Sequence, residues 1–320
     1  MIRTSFLVVG TDEAPLLHAV LPTAAADEPD ELVVLDNASS DDTAGLAAQH
    51  GARVVRLERR ATYCEAMNAG IAACTGDAIA LLQADTFIEP GYLKAALAAL
   101  DRPGVGSVAP RLVRALDPHP DPAQRVVQLD TAGMVVDRRR KNGLVGHGTP
   151  AGAWMAPGEV FGADGAAALY RRETLEDCAI EGEVFDPDLE RWASDADLAW
   201  RARVLGWTCA YEPAAVVRHL RTYSPSTRDT MSAAARRMQF RNRYLMMVKN
   251  DSARELAPDL PRVALYEVLA LGHVLLRERE LLGAYAEAWR RLPAARRRRR
   301  DIQARRRTRR VPFGLEASPR

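Results

Sequence analysis

Two apolar runs close on a carboxylate: "ELVVLD" ends at Asp36, and "DAIALL" runs straight into Gln83-Ala84-Asp85. A third acid, Asp195, lies in the helical stretch "RWASDADLAWRARVLGW", and His219 follows an apolar run in "VVRHL". Ligands of open parallel sheets lodge beyond the carboxyl ends of the strands, so acids there suit a polar ligand. Asp85 has the chemistry to hold Mg2+ or Mn2+ while phosphate oxygens complete an octahedron. Gln83, two residues earlier on the same side of an extended strand, offers a neutral carbonyl to the ion or to its water. Asp195, at a helix N-terminus beside a cleft, can take a proton from a bound hydroxyl. Each acid also has a plainer use. Asn37, Ser39 and Asp41 are good turn and capping residues after Asp36. Ser194 reads as an N-cap, with Asp195 and Asp197 early and Arg201 and Arg203 late, as a helix dipole favours. A His after an apolar strand is often structural.

The elements that must position these groups alternate. "SFLVVG" (5–10), "ELVVLD" (31–36), "ARVVRL" (52–57) and "DAIALL" (77–82) are short runs of the kind buried on both faces. Ala-rich helical stretches separate them at Ala14–Ala25, Asp42–His50 and Tyr63–Cys74. The pattern predicts an α/β fold with a doubly wound, mostly parallel sheet. A helix from near Gly91 and a fifth strand, "GVGSVAP" (104–110), extend it. Residues 111–162, with "DPHPDPAQ" and "DRRRKNGLVGHGTPAG", read as loops and a hairpin leaving the sheet. Then come a strand and helix over 165–178, a helix over 194–207, a strand over 208–213, and long helices over 230–250 and 261–292.

Several classes are excluded. The turn after the first strand, "GTDEAP", has no G-x-G-x-x-G, and its Asp12-Glu13 pair is wrong for a pyrophosphate cradle. No P-loop is present. Cys64, Cys74, Cys178 and Cys209 form neither a C-x-x-C pair nor a dense framework, which fits a reduced chain. No run reaches the roughly 20 apolar residues of a membrane span, and the N-terminal run is too short for a signal peptide. The expected location is cytoplasmic.

Taken together, "VVLDNASSDDT", "AMNAGIAACTGDAIALLQADTFIEPGYL", "LDTAGMVVDRRRKNGLVGHG", "GAAALYRRETLEDC", "FDPDLERWASDADLAWRARVLGWTCAYEPAAVVRHL" and "RNRYLMMVKN" resemble the family 2 glycosyltransferases of the GT-A fold. The likeness is strongest to the bacterial rhamnosyltransferase-like branch. It implies a Rossmann-like nucleotide-binding half (1–110), an acceptor-side half (111–250), C-terminal amphipathic helices (251–293) and an Arg-rich tail (294–320). It also implies roles. Asp36 would read the nucleotide base with Thr11 beside it, and Asn68 would line the nucleotide pocket. Asp85 matches the last acid of the D-x-D motif, ligating a divalent cation on the donor diphosphate. Asp195 matches the general base, and His219 lies where a His often neighbours the metal. The donor would be a dTDP- or UDP-sugar, with dTDP-rhamnose first, and the acceptor a lipid-linked or glycan hydroxyl in cell-envelope synthesis. Two positions depart from the pattern: Gln83 stands at the first D-x-D position and Ser194 at the Glu of the E-D pair. A catalytically degenerate relative, acting as a nucleotide-binding or assembly partner, is the alternative.

Charge is unevenly spread. Residues 290–310 carry twelve Arg and one Asp, a net of +11, which leaves −9 on the remainder. With "VALYEVLALGHVLL" before it, this run predicts peripheral binding to an anionic membrane on its inner face, or else a solvated basic tail. Nucleic acid ranks last, because aromatics are not interleaved with the arginines.

Overall fold

The computed structural model describes residues 2–117, 127–223 and 225–319. Four parallel strands build the N-terminal half: β1 (Thr4–Gly10), β2 (Glu31–Asp36), β3 (Arg53–Arg56) and β4 (Ala78–Gln83). Their side chains alternate between two covered faces. Leu7, Val33, Leu35, Ile79 and Leu81 pack toward α3 (Tyr63–Ala73). Phe6, Val8, Leu32, Val34, Ala80 and Leu82 pack toward α1 (Ala14–Ala25) and α4 (Tyr92–Leu100). A strand buried on both sides has no polar face to show, which is why these runs are apolar throughout. Helix α2 (Thr43–Gln49) completes the first winding.

Local signals fix the helix starts. Thr62 and Glu65 form a reciprocal capping box at α3. Gly91, at φ +88°, turns the chain into α4 in a conformation that costs glycine least.

The sheet then leaves simple doubly wound order. Two short strands, β5 (Thr86–Ile88) and β7 (Leu129–Thr131), flank β6 (Val105–Arg114) and the long β12 (Thr208–His219). Strand β11 (Ala167–Arg171) inserts between β4 and β6, antiparallel to both. The order is β10-β12-β6-β11-β4-β1-β2-β3, with β10 at Gly158–Val160. β8 (Met134–Val136) and β9 (Asn142–Leu144) form the expected hairpin. The expected loop "DPHPDPAQ" (117–124) lies almost entirely outside the described residues.

The proposed boundary at residue 110 falls inside β6, so one continuous sheet serves both halves. β12 also runs six residues past the expected end at Pro213. A register shift between Glu212 and Val216 absorbs this proline, which cannot donate to a ladder.

Helices α5 (Arg172–Cys178), α6 (Ser194–Val204) and α7 (Ala233–Asn250) belong to the C-terminal half. After the short α8 (Ala253–Leu256) come α9 (Leu260–Leu276) and α10 (Leu282–Ala304), where one long helix was expected. The Arg-rich segment is not a loose tail. Arg291 pairs with Glu190, Arg298 with Asp186, Arg306 with Glu255 and Arg307 with Asp177. Beyond it, Val311 and Ala317 are buried, and Phe313 stacks on Phe161 and meets Trp200 edge-on. The acidic body is the partner of much of this charge, which is why the two ends of the charge distribution do not stay apart.

Candidate active site

Because β1, β2 and β4 are parallel and in register, their carboxyl ends share one edge, with Gly10 opposite Asp36 and Val9 opposite Gln83. Asp36 is fully buried there. Its Oδ1 accepts from Ser39 N at 2.9 Å, while buried Oδ2 has no hydrogen-bond partner and lies 3.3 Å from Arg56 Nε. Thr11 Oγ1 accepts from Asn37 Nδ2 at 3.2 Å. Asn68 has a different setting from the one expected. Both its polar atoms clamp the backbone of Phe185, at 2.7 and 2.8 Å, so its amide is spent on holding α3 to the acceptor-side half.

Asp85 is not on a strand. β4 stops at Gln83, and Ala84-Asp85 make the tight turn into β5. Gln83 therefore does not share a strand face with Asp85; its side chain sits beside the Tyr63 hydroxyl instead. β5 pairs with the end of β12, opposing Thr86 to His219. This puts His219 Nε2 3.5 Å from Asp85 Oδ1, a buried oxygen with no hydrogen-bond donor.

His219 is in turn held by groups that sequence reading missed. Its Nδ1 donates to Asp130 Oδ2 at 2.8 Å. Arg221 Nε donates to both Asp130 oxygens, at 2.6 and 2.8 Å, and Arg221 Nη2 donates to Asp164 Oδ2 at 2.9 Å. His147 Nδ1 lies 2.7 Å from the Asp130 carbonyl. Burial opposes charge on His219, but Asp130 and Asp85 outweigh it and push the imidazole up to about 9. Burial likewise works against ionised Asp130, yet His147, His219 and Arg221 hold it far below the usual carboxylate range.

Asp195 stands at the far end of this chain of charges, in the first turn of α6. Ser194 is not the cap. Ala193 takes that position at φ +60°, and Ser194 Oγ donates to Arg191 O at 2.6 Å. Asp195 Oδ2 accepts from Gly165 N at 3.0 Å, and Oδ1 from Ala196 N at 2.8 Å. A Cβ on Gly165 would lie 3.1 Å from Oδ2, so the close approach needs glycine. Burial and the neighbouring Asp164 raise Asp195 to about 6, against the pull of the two N–H groups and Arg221. A left-handed non-glycine residue, Ala193, two positions before a half-buried, raised acid is the kind of strain found at working sites.

Asp85, His219, Asp130, Arg221, Asp164 and Asp195 thus form one contiguous network. Glu13 faces it, raised by burial and by Asp85, with Arg191 nearby. Arg221 went unread, although it is the second residue beyond His219 and so on one side of an extended chain. Asp130 is the second residue of the quoted "LDTAG", but nothing in "GADGAA" marks Asp164.

No three His, Cys, Asp or Glu among the described residues gather into an all-protein metal cage. The pair that is present still fits a hard cation. Asp85 supplies an unpartnered buried oxygen, and Asp130 takes the Nδ1 hydrogen bond and so fixes the His219 ring with Nε2 toward Asp85, where a cation would displace its proton. The remaining positions would fall to phosphate oxygens and water, the usual arrangement for Mg2+ or Mn2+.

Known proteins with the same fold bind such groups. The mannosyltransferase PcManGT from Pyrobaculum calidifontis, solved with GDP-Man and Mn2+, has a TM-score of 0.54 at 20% identity, covering 92% of this chain and 76% of that one. Staphylococcus aureus TarS 1-349 with UDP-GlcNAc has a TM-score of 0.57 at 15% identity, covering 95% and 91%. Among curated sequences, an uncharacterized protein of Sinorhizobium fredii is 30% identical over 223 residues, 64% of this chain and 23% of its own. A pre-mycofactocin glycosyltransferase of Mycobacterium tuberculosis is 30% identical over 154 residues, 48% of this chain and 29% of its own. The chain spans less than a third of the length of these two relatives. Residues 8–178 match the family described as glycosyl transferase family 2, which covers more than half of the chain. With its ten-stranded mixed sheet and shared carboxyl edge, this chain belongs to glycosyl transferase family 2 and has the GT-A fold.

Proposed function

We propose that this chain transfers a sugar from a nucleoside-diphosphate donor to an acceptor hydroxyl with inversion at the anomeric carbon. The observation that carries the proposal is Asp195: a half-buried carboxyl raised to about 6, tied through Asp164, Arg221 and Asp130 to the Asp85–His219 pair. A base with that pKa is mostly ionised at neutral pH yet still accepts a proton readily. Asp164 is occupied by Arg221 and Ala166 N, so it is a poor nucleophile, and direct displacement by the acceptor is the simplest chemistry. A divalent cation held by Asp85 and His219 would neutralise charge developing on the leaving diphosphate. Arg191 adds positive charge on the same side, next to Glu13. Asp36 and Thr11, at the mouth of the first two strands, are placed to receive the nucleoside. The sequence resemblance supports rhamnose as the sugar and a lipid-linked or polysaccharide acceptor.

Gln83 favours a second reading. Its side chain sits beside Tyr63 rather than facing an ion, as a nucleotide-binding protein without turnover would allow. A thermal-shift series with UDP-, dTDP- and GDP-sugars, with and without Mn2+, tests both. A matching donor raises Tm by mass action, and more so with Mn2+. Absence of any shift removes both readings. A shift without transfer leaves only the second.

The raised Asp195 also sets a pH profile. kcat/KM should fall tenfold per unit below about pH 6, whereas an ordinary aspartate base would hold its activity to about pH 4. Asp164→Asn removes the negative neighbour and frees Arg221, so the acid limb should move to lower pH. A limb that stays in place means that Asp195 is not the titrating base.

A further inference from the structure

Helix α9 turns its apolar side outward. At 100° per residue, its buried positions Val263 and Val274 share one narrow face with Glu267, which Arg243 and Tyr244 hold inward. The opposite face carries Leu265, Val268, Leu269, Gly272, Leu275 and Leu276, and no charged residue. Leu265, Val268 and Leu269 are each more than 60% exposed, and Leu276 is 79% exposed. A run of this kind exceeds the scattered apolar exposure of an ordinary surface. Leu282 and Trp289 on α10 are exposed as well. At 17 residues, roughly 25 Å, α9 is too short and too charged at its ends to cross a bilayer, and no described helix qualifies as a span.

The surrounding charge selects the occupant. The acids of this region are engaged by arginines of the protein itself: Glu255 by Arg306, Asp259 by Arg138 and Arg140, Glu278 by Arg228, and Glu280 by Arg236. Arg254, Arg262 and Arg277 meanwhile stand exposed around the helix ends. Arg262 reaches Asp259 only at 3.8 Å. A second copy of the same face would set cation against cation with no acid between them. An anionic lipid surface meets the same face with complementary charge and an apolar interior.

We propose that α9 lies in the plane of an anionic bilayer, with its Leu265–Leu276 face in the acyl boundary and Arg254, Arg262 and Arg277 at the headgroups. The docking surface is then this helix, with its apolar face, rather than the arginine run of α10, where Arg291, Arg297 and Arg298 pair with acids of the protein. Docking does not depend on the transfer chemistry, and donor-induced stabilisation and vesicle binding can fail separately.

Vesicle flotation of the full chain tests the proposal. Wild-type protein should float with phosphatidylglycerol–phosphatidylcholine vesicles and much less with phosphatidylcholine alone. Leu269→Glu, an exposed position that leaves the fold intact, should cut partitioning roughly tenfold or more. Arg262→Glu with Arg277→Glu should weaken binding and flatten its salt dependence. The proposal is overturned if wild-type protein ignores anionic vesicles. It is equally overturned if Arg296→Glu with Arg300→Glu costs as much as Leu269→Glu. Sedimentation showing a dimer that Leu269→Glu dissolves, without vesicle binding, would assign the face to a second copy instead.

Discussion

Asp195→Asn lowers kcat by roughly 10²–10⁴-fold and leaves donor affinity within about twofold of wild type. The amide keeps the shape of the carboxylate and can still accept from Gly165 N, so α6 keeps its start. What disappears is the proton acceptor. Asp164 and Asp130 cannot replace it, because Asp164 is held by Arg221 and Ala166, and Asp130 by His219 and Arg221. On the proposed function, donor binding would engage Asp85, His219 and the first-strand edge, and should register the change only weakly. Single-turnover transfer together with calorimetric donor titration separates the two effects. Transfer at near wild-type rate would remove Asp195 from the chemistry, and a matching loss of affinity would make it a binding residue only.

Lys249→Met is expected to destabilise the fold by about 3–5 kcal/mol, lowering Tm by on the order of 5–10 °C. Lys249 Nζ is buried and donates to Asp186 Oδ2 at 2.5 Å and to Asp197 Oδ2 at 2.8 Å. Asp197 also accepts from Arg201 Nε at 3.1 Å and Asn250 Nδ2 at 2.7 Å, and Asp186 pairs with Arg298 at 2.7 Å. One ammonium therefore ties α6, α7 and α10 together two residues from Asp195. Methionine fills the space but leaves both carboxylates short of a cation in a dry setting. The network has a pH signature too. Burial alone would raise Asp186, but Lys249 and Arg298 hold it at about 2, below its ordinary 3.8. Its contribution is then complete above pH 3.8 and lost as pH falls through about 2. Lys249→Met should lose less stability over that window than wild type. Equal melting curves for the two proteins would mean that the ion cluster contributes no net stability.

β1, β2 and β4 were legible in the sequence because each is buried on both faces, and the edge strand β3 showed itself by Val54 and Val55 between exposed arginines. An apolar run four to seven residues long has few other uses. The observed β2 and α1 coincide with the expected spans, and β1 and β4 differ by a residue at their ends. The antiparallel direction of β11 was not legible, since "GAAALYRR" reads the same whichever way it runs. β12 was cut short at Pro213, where a register shift rather than a strand end accommodates the ring. That error hid how His219 reaches Asp85, because the last part of β12 brings it there. Asp85, Asp195 and His219 stood out by type and position. Asp130, Asp164 and Arg221 did not, because their significance lies in contacts between segments 57 to 91 residues apart. Ser194 failed as a cap for a local reason: Ala193 adopts the left-handed turn one residue earlier.

The place of β11 bears on how the chain comes off the ribosome. β4 and β6 are made early, yet the strand that joins them is Ala167–Arg171, so two edges of the central sheet stay unpaired until that segment emerges. Unpaired strand edges invite wrong partners. The nascent N-terminal half is therefore an open template rather than a finished unit, and shelter until Ala167–Arg171 has been made matters as much to yield as final stability.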